Sequence, residues 1–492
     1  MMLLLAPLLI PLVTALLTAV LPAHPRLRRG LSLAGVLLLL GAALALLVAV
    51  GPAGRLSVAL GDWPLPFAIQ FVADGLSAAL VLVAALLGLT VLLYQFATEP
   101  ANREAPGLQP LVQGLLAAVV AVFLAADLFN LYVWFELLLM ATLGLLLLGG
   151  RPWQAEAALK YFALSMLGTL LMLAAVGLIY GASGQLNFGA LAVASQAPGV
   201  APGLTLFVVM LLLAVLLKAG AFPLFAWLPA SYHTLSPPLL ALVGGLLTKV
   251  AIYALLRLTG QVFSATPAFL YEALGWLAML TLVTGVLGAA YHWDLRRILA
   301  FHIVSQIGYL LLGIALATPA GAAGTAFFLI HNILVKANLF LLAGLIWLSA
   351  GHQDLRRIGG LYLARPWLAL LFLLNAFSLV GVPPSSGFWG KFLLVQEALA
   401  QQRFLWGGLA LGVGLLTLYS MSKIWLEGFW KPHPDPTRLA GSQPQGDGGP
   451  RLAYAAVTFS TLLVLALGLY PQPLIDWLQQ ATAGYWAGFG PA

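Results

Sequence analysis

The chain has 492 residues, of which 62% are hydrophobic and only 8% charged, with a mean hydropathy of +1.02 and a formal charge of +7. Soluble domains carry about 25% charged residues, so this stock cannot supply a water-facing surface, and the chain reads as a polytopic membrane protein. Its basic residues are scattered through short loops, which argues against a nucleic-acid face. The absence of cysteine excludes disulfides, thiolate zinc sites, cysteine-ligated iron–sulfur clusters and thiol catalysis.

In chain order, the composition predicts an all-α protein of about fourteen transmembrane helices, since runs this long without alternation are helices rather than barrel strands. The first three spans fall near 2–22, 31–50 and 73–95. The N-terminal charges follow the apolar run instead of preceding it, so the first span reads as retained and not as a cleaved signal. Residues 51–72 read as a loop. Spans four to eight fall near 110–126, 128–149, 157–181, 204–229 and 238–262, with a loop over 182–203. Spans nine to thirteen fall near 270–290, 297–317, 322–349, 366–400 and 405–426. A polar, proline-rich stretch, PHPDPTRLAGSQPQGDGGPR, reads as a cytoplasmic linker before the last span near 452–470. The tail, with Trp477, Tyr485 and Trp486, reads as an interfacial segment.

Two spans look broken. The seventh reads LLKAGAFPLFAWLP, with Gly220 and Pro223 just after Lys218; the twelfth reads LVGVPPSSGFWGKFLL, with Pro383 and Pro384 ahead of Lys391. Proline removes an amide donor and clashes with the preceding turn, so each span is expected to split into half-helices. Interruptions five spans apart point to two inverted five-helix repeats, spans 4–8 and 9–13. The resulting division is an N-terminal three-helix segment over 1–109, repeats over 110–265 and 266–430, the linker over 431–451, and a C-terminal helix and tail over 452–492.

Thirteen of the 22 basic residues fall in connections that follow odd-numbered spans, against Arg55, Arg257 and Arg403 on the other side. By the positive-inside rule the thirteen face the cytoplasm of a cell (inner) membrane, with both chain ends outside. Lys423 can snorkel to the cytoplasmic side. Five lysines remain inside apolar spans: Lys160, Lys218, Lys249, Lys336 and Lys391.

Those lysines, with one glutamate, carry the functional expectation. In DLFNLYVWFELLLMATLGLLLL, Glu136 lies about 13.5 Å into its helix, close to the middle of a hydrocarbon core about 30 Å thick. Ionisable groups placed there are costly and ordinarily functional. A buried lysine's proton affinity falls with desolvation and rises beside a carboxylate, so Glu136 with Lys218 forms a proton-transfer element, expected within direct or one-water reach. Lys249, His331, Lys336 and Lys391 extend this pathway, histidine being able to hand protons on through water. Lys160, His302, Ser305 and His233 are further candidates. Lys160 could equally be held as scaffold by Glu156 at i,i+4 spacing. Asp74 and Asp127 read as helix N-caps. A static Glu136–Lys218 salt bridge is the structural alternative, but Lys249 and Lys391 have no acidic neighbour in sequence. No phosphate-binding, dinucleotide or zinc motif is found, and no cofactor or metal is expected.

The stretches DLFNLYVWFE, LLKAGAFPLFAWLP, GGLLTKVAIYALLR and GVPPSSGFWGKF, with the fourteen-span plan, resemble the antiporter-like subunits of respiratory complex I and their relatives. Together with YSMSKIWLEGFW, they are most similar to the D-type subunits of the Mrp-type multisubunit Na+/H+ antiporters. The resemblance places the family's span-5 glutamate on Glu136, its span-7 and span-8 lysines on Lys218 and Lys249, and its span-12 lysine on Lys391. It implies protons moving along a central hydrated axis, Na+ as the exchanged ion, and partners in a hetero-oligomeric membrane complex, so a transporter subunit and not an enzyme. Some complex I members have glutamate at the span-12 place, which lysine here argues against. The alternatives are a proton-pumping subunit of complex I or of a membrane-bound hydrogenase, and an inert scaffold.

Overall fold

The computed structural model describes residues 2–21, 23–64, 67–195, 201–264, 267–434 and 449–486. The linker expected over 431–451 lies largely outside them. The chain is mostly helical. It opens with α1 (Met2–Ala19) and α2 (Pro25–Val50), then β1 (Arg55–Ala59) and β2 (Gln70–Asp74), then α3 (Gly75–Thr98). Next come α4 (Leu108–Leu124), α5 (Leu128–Leu147), α6 (Pro152–Ser183), α7 (Phe188–Ala194), α8 (Ala201–Ala219), α9 (Trp227–Ser231) and α10 (Pro237–Arg257). The remainder is α11 (Ala268–Tyr291), α12 (Leu295–Ala315), α13 (Pro319–Ala350), α14 (Leu361–Ala364), α15 (Pro366–Val380), α16 (Ser386–Ala400), α17 (Phe404–Trp425), α18 (Gly449–Leu469) and α19 (Gln472–Thr482).

Among the described residues, eleven helices are long and apolar enough to cross a membrane, and three shorter apolar helices accompany them, over Leu108–Leu124, Gly203–Ala219 and Pro366–Val380. Helices α3, α10, α12 and α13 form the interior, and the apolar stretch of α10 is wholly buried. Around them α1, α2, α6, α17 and α18 turn side chains such as Leu38, Val48 and Leu415 outward. In lipid an outward leucine costs nothing, so the ring can be apolar on both faces.

Two features depart from the expectation. The protein is not purely helical, because β1 and β2 pair antiparallel with Arg55 opposite Asp74. The hairpin pairs backbone groups of a segment read as loop. The loop over 182–203 contains the short helix α7. In the tail, Tyr485 and Trp486 are buried against the fold, and Trp486 donates its backbone N–H to Gly260 O and its indole N–H to Tyr271.

Two interruptions shape the interior. Helix α8 ends at Ala219, followed by Gly220 with φ +78°, and α15 ends before Gly381 with φ +91°. Both glycines sit in the left-handed region that side chains with a Cβ avoid. The chain resumes as α9 and α16, leaving helix ends inside the bundle. Asp127 caps α5 through Asn130 N–H, and Asp294 caps α12 through the amides of Arg296 and Arg297. Each also forms an isolated antiparallel bridge, Asp127 with Asn187 and Asp294 with Asp354.

Candidate proton path through the membrane interior

The first cluster joins three helices. Glu136 on α5 accepts a hydrogen bond of 2.7 Å from the Thr169 hydroxyl on α6. The ammonium of Lys218, in the last turn of α8, donates to the same hydroxyl oxygen at 3.0 Å. Lys218 Nζ stands 3.8 Å from Glu136 Oε1 and 5.4 Å from the centre of the Phe135 ring. The expected pair is therefore adjacent, with a hydroxyl between its members. Beside it lies a small cavity of about 30 Å³, lined by Tyr161, Ser165, Lys218, Trp227 and Leu247 among others. That is room for about one water. Leu247 of α10 closes one side of it.

Lys249 is 1% exposed and donates at 2.7 Å to the carbonyl of Gly244 on its own helix. Lys336, on α13, is fully buried, and its nitrogen makes no hydrogen bond among the described residues. It lies within electrostatic reach of both Lys249 and Lys391. Lys391, on α16, donates to the carbonyls of Leu379 at 3.1 Å and Val380 at 2.8 Å and lies 4.8 Å from the centre of the Tyr309 ring. Those carbonyls are the unpaired end of α15, where backbone oxygens and the helix dipole favour a cation. The helix break thus supplies the partner that no acidic side chain among the described residues provides.

His331 connects to the same break. Its Nδ1 is 2.8 Å from the Ser386 hydroxyl, itself 3.1 Å from the Ser378 hydroxyl. Ser378 belongs to the end of α15 and Ser386 to the start of α16, so the imidazole touches the junction of the half-helices. His302 contacts Ser420 on α17 at 3.0 Å. Ser305 is buried on the same helix as His302, and its hydroxyl makes no hydrogen bond among the described residues.

Two candidates lie elsewhere. Lys160 pairs with Glu156 at 2.5 Å, with its side chain 52% exposed, away from the buried amines. His233 lies in the turn after α9, with Nδ1 3.1 Å from Pro229 O. It lines a cleft of about 740 Å³ with Glu99, Arg103, Arg151 and Arg296. Burial, with the Arg297 guanidinium nearby, holds its imidazole below the ordinary histidine value. Lys423 reaches the carbonyls of Ala290 and His292, both at 2.7 Å.

Sequence reasoning missed Thr169, Ser378, Ser386, Ser420 and Tyr309. Hydroxyls are common in apolar helices and ordinarily bond their own backbone one turn back, so no local signal separates these from the rest.

Residues 125–417 match the family described as NADH:quinone oxidoreductase/Mrp antiporter, transmembrane region. The D-type Na(+)/H(+) antiporter subunit of Alkalihalophilus pseudofirmus is 39% identical over 428 residues, 87% of each chain. A chain of the Mrp complex from Dietzia sp. DQ12-45-1b superposes with a TM-score of 0.91 at 31% identity, covering 99% of this chain and 97% of that one. A chain of respiratory complex I from Thermus thermophilus superposes at 0.81 with 27% identity, covering 96% and 98%. From the matched span, the near full-length similarity and the shared fold, this chain belongs to the NADH:quinone oxidoreductase/Mrp antiporter transmembrane family, and within it resembles the D-type subunits of Na+/H+ antiporters.

Proposed function

We propose that the chain is the proton-translocating membrane subunit of a multisubunit Na+/H+ antiporter, relaying protons through Glu136, Lys218, Lys249, His331, Lys336 and Lys391. The observation that carries this reading is the trio Lys249, Lys336 and Lys391, buried amines with no carboxylate partner among the ion pairs of the described residues. Buried charges kept for structure are paired, because an isolated one costs several kcal/mol, on the order of 3–5 when a partner is removed. Amines left with carbonyls, or with nothing, can take up and release protons as water and neighbouring charge change. Thr169, able to donate and accept at once, couples the Glu136 carboxylate to Lys218.

In this reading the chain crosses the membrane fourteen times, with both ends outside, and spans 4–8 and 9–13 are inverted repeats. The matched bridges support the repeats. Leu128 N–H bonds Leu186 O and Phe188 N–H bonds Ala126 O, while Leu295 N–H bonds Gln353 O and Leu355 N–H bonds Trp293 O. Each pair ties the start of one span to the segment following the next, at the same sequence offset. The interrupted helices α8–α9 and α15–α16 hold corresponding places. The exchanged ion is Na+ and the partners are the other subunits of the complex, as the names of the relatives indicate.

The test is Lys249→Ala in the complete complex, in everted membrane vesicles. Na+-dependent collapse of an imposed pH gradient is expected to vanish while assembly persists. Retained transport would leave the amines as scaffold. The likeness to the complex I chain favours a second reading, a pumping subunit of a redox-driven complex. Affinity purification separates the two: iron–sulfur or quinone-binding partners support the second reading, and small antiporter subunits the first.

A further inference from the structure

On the face opposite the arginine-rich loops, a cleft of about 710 Å³ ends at a buried ion pair. Arg257, last residue of α10, holds Asp74 Oδ2 through Nη1 at 2.5 Å, and the two side chains are 8% and 14% exposed. Arg257 Nε donates to the Tyr253 hydroxyl at 2.8 Å, and that hydroxyl donates to Phe123 O at 2.6 Å. Lys249, Tyr253 and Arg257 are four residues apart and share one face of α10. A polar line therefore runs from the cleft into the helix that carries a central amine. It stops one turn short of Lys249, because the Tyr253 proton is committed to Phe123 O and Lys249 turns the other way, to Gly244 O.

The tail clasps both ends of the pair. Trp477 donates its indole N–H to the carbonyl of Gly75, next to Asp74, at 3.0 Å. Trp486 donates its backbone N–H at 3.0 Å to Gly260, three residues beyond Arg257.

We propose that Asp74 and Arg257 form a gate between this cleft and Lys249, held shut by the C-terminal segment and opened when the ion pair parts. Held to each other and to Tyr253, the two side chains fill the inner end of the cleft and keep water from Lys249, so the paired state is closed. Once Arg257 swings from Asp74, the carboxylate faces the passage, Tyr253 loses its Arg257 partner, and water can span the remaining turn to Lys249. The gate rests on the reading of Lys249 as a proton carrier.

The chain has no cysteine, so a single introduced thiol reports access to its position. In right-side-out vesicles holding the assembled complex, Lys249→Cys is treated from outside with a membrane-impermeant methanethiosulfonate ammonium reagent. Reaction is expected to be slow with the pair intact and about tenfold faster after Asp74→Asn or Arg257→Gln, as an open minor state gains population. The exchanged pair Asp74→Arg/Arg257→Asp is expected to return it toward the slow rate, and serves if a single substitution prevents assembly. Gln261→Cys, at the cleft mouth, is expected to react in every background. The gate is overturned if Lys249→Cys reacts at the same rate throughout while Gln261→Cys reacts, if Gln261→Cys never reacts, or if access comes only from the arginine-rich face. Labelling needs no transport, so a failed gate and a failed proton-carrier reading give separate results.

Discussion

The Lys218 ammonium stops 3.8 Å from the Glu136 carboxylate, and the Thr169 hydroxyl fills the interval, accepting from one and donating to the other. Direct fork-like contact would lock the charges together. A hydroxyl between them leaves a hydrogen-bonded line along which a proton can move while each charge feels the other.

Thr169→Val keeps the shape and removes the line. One lost hydrogen bond in such a site corresponds to about a three- to tenfold fall in Na+-driven proton flux, with Thr169→Ser close to the parent. Vesicle transport rates normalised to complex content measure it. Equal loss in the valine and serine variants would point to packing rather than proton transfer.

Lys391→Arg separates charge from proton exchange. Guanidinium can still bond the carbonyls of Leu379 and Val380, but it does not release its proton in the working range. The variant is expected to assemble with parental thermal stability and to lose antiport. Antiport at the parental rate would assign Lys391 a purely structural part.

Lys160, the apolar-span lysine whose partner lies one turn away, is expected to be dispensable. Its pair with Glu156 is solvent- or lipid-facing, so Lys160→Gln should leave flux within about twofold of the parent. A loss as deep as that of Lys249→Ala would bring Lys160 into the path.

His233 gives the acid dependence. The folded protein holds its imidazole below the ordinary value, so the unfolded chain binds the extra proton first. Its contribution to stability is complete above about pH 6.5 and is lost as pH falls from there through the lower folded value. The melting temperature of the purified complex between pH 7.5 and 5 is expected to fall less steeply in His233→Gln than in the parent. Parallel curves would remove His233 from the acid response.

The interrupted helices were legible because glycine and proline act locally: LLKAGAFP and GVPPSSGF announce a stop wherever they occur. What the stop accomplishes was not legible. Lys391 lacks an acidic neighbour in sequence, and only the fold brings the free carbonyls of α15 to it. Likewise Asp74 read as a helix cap, which it is, since it accepts from Ser77 N–H. Its second bond, to Arg257, carries no trace in either residue's surroundings.

By itself the sequence determined the membrane class, the approximate spans and the short list of ionisable groups in the apolar interior. Hydropathy and the cost of a charge in hydrocarbon act residue by residue, so one dimension suffices. The tertiary structure decided which of those groups meet. Thr169 lies 33 residues from Glu136 and 49 from Lys218 in the chain, and His331 lies 55 from Ser386. Contacts across such separations depend on how whole helices cross, and many local patterns are compatible with more than one crossing.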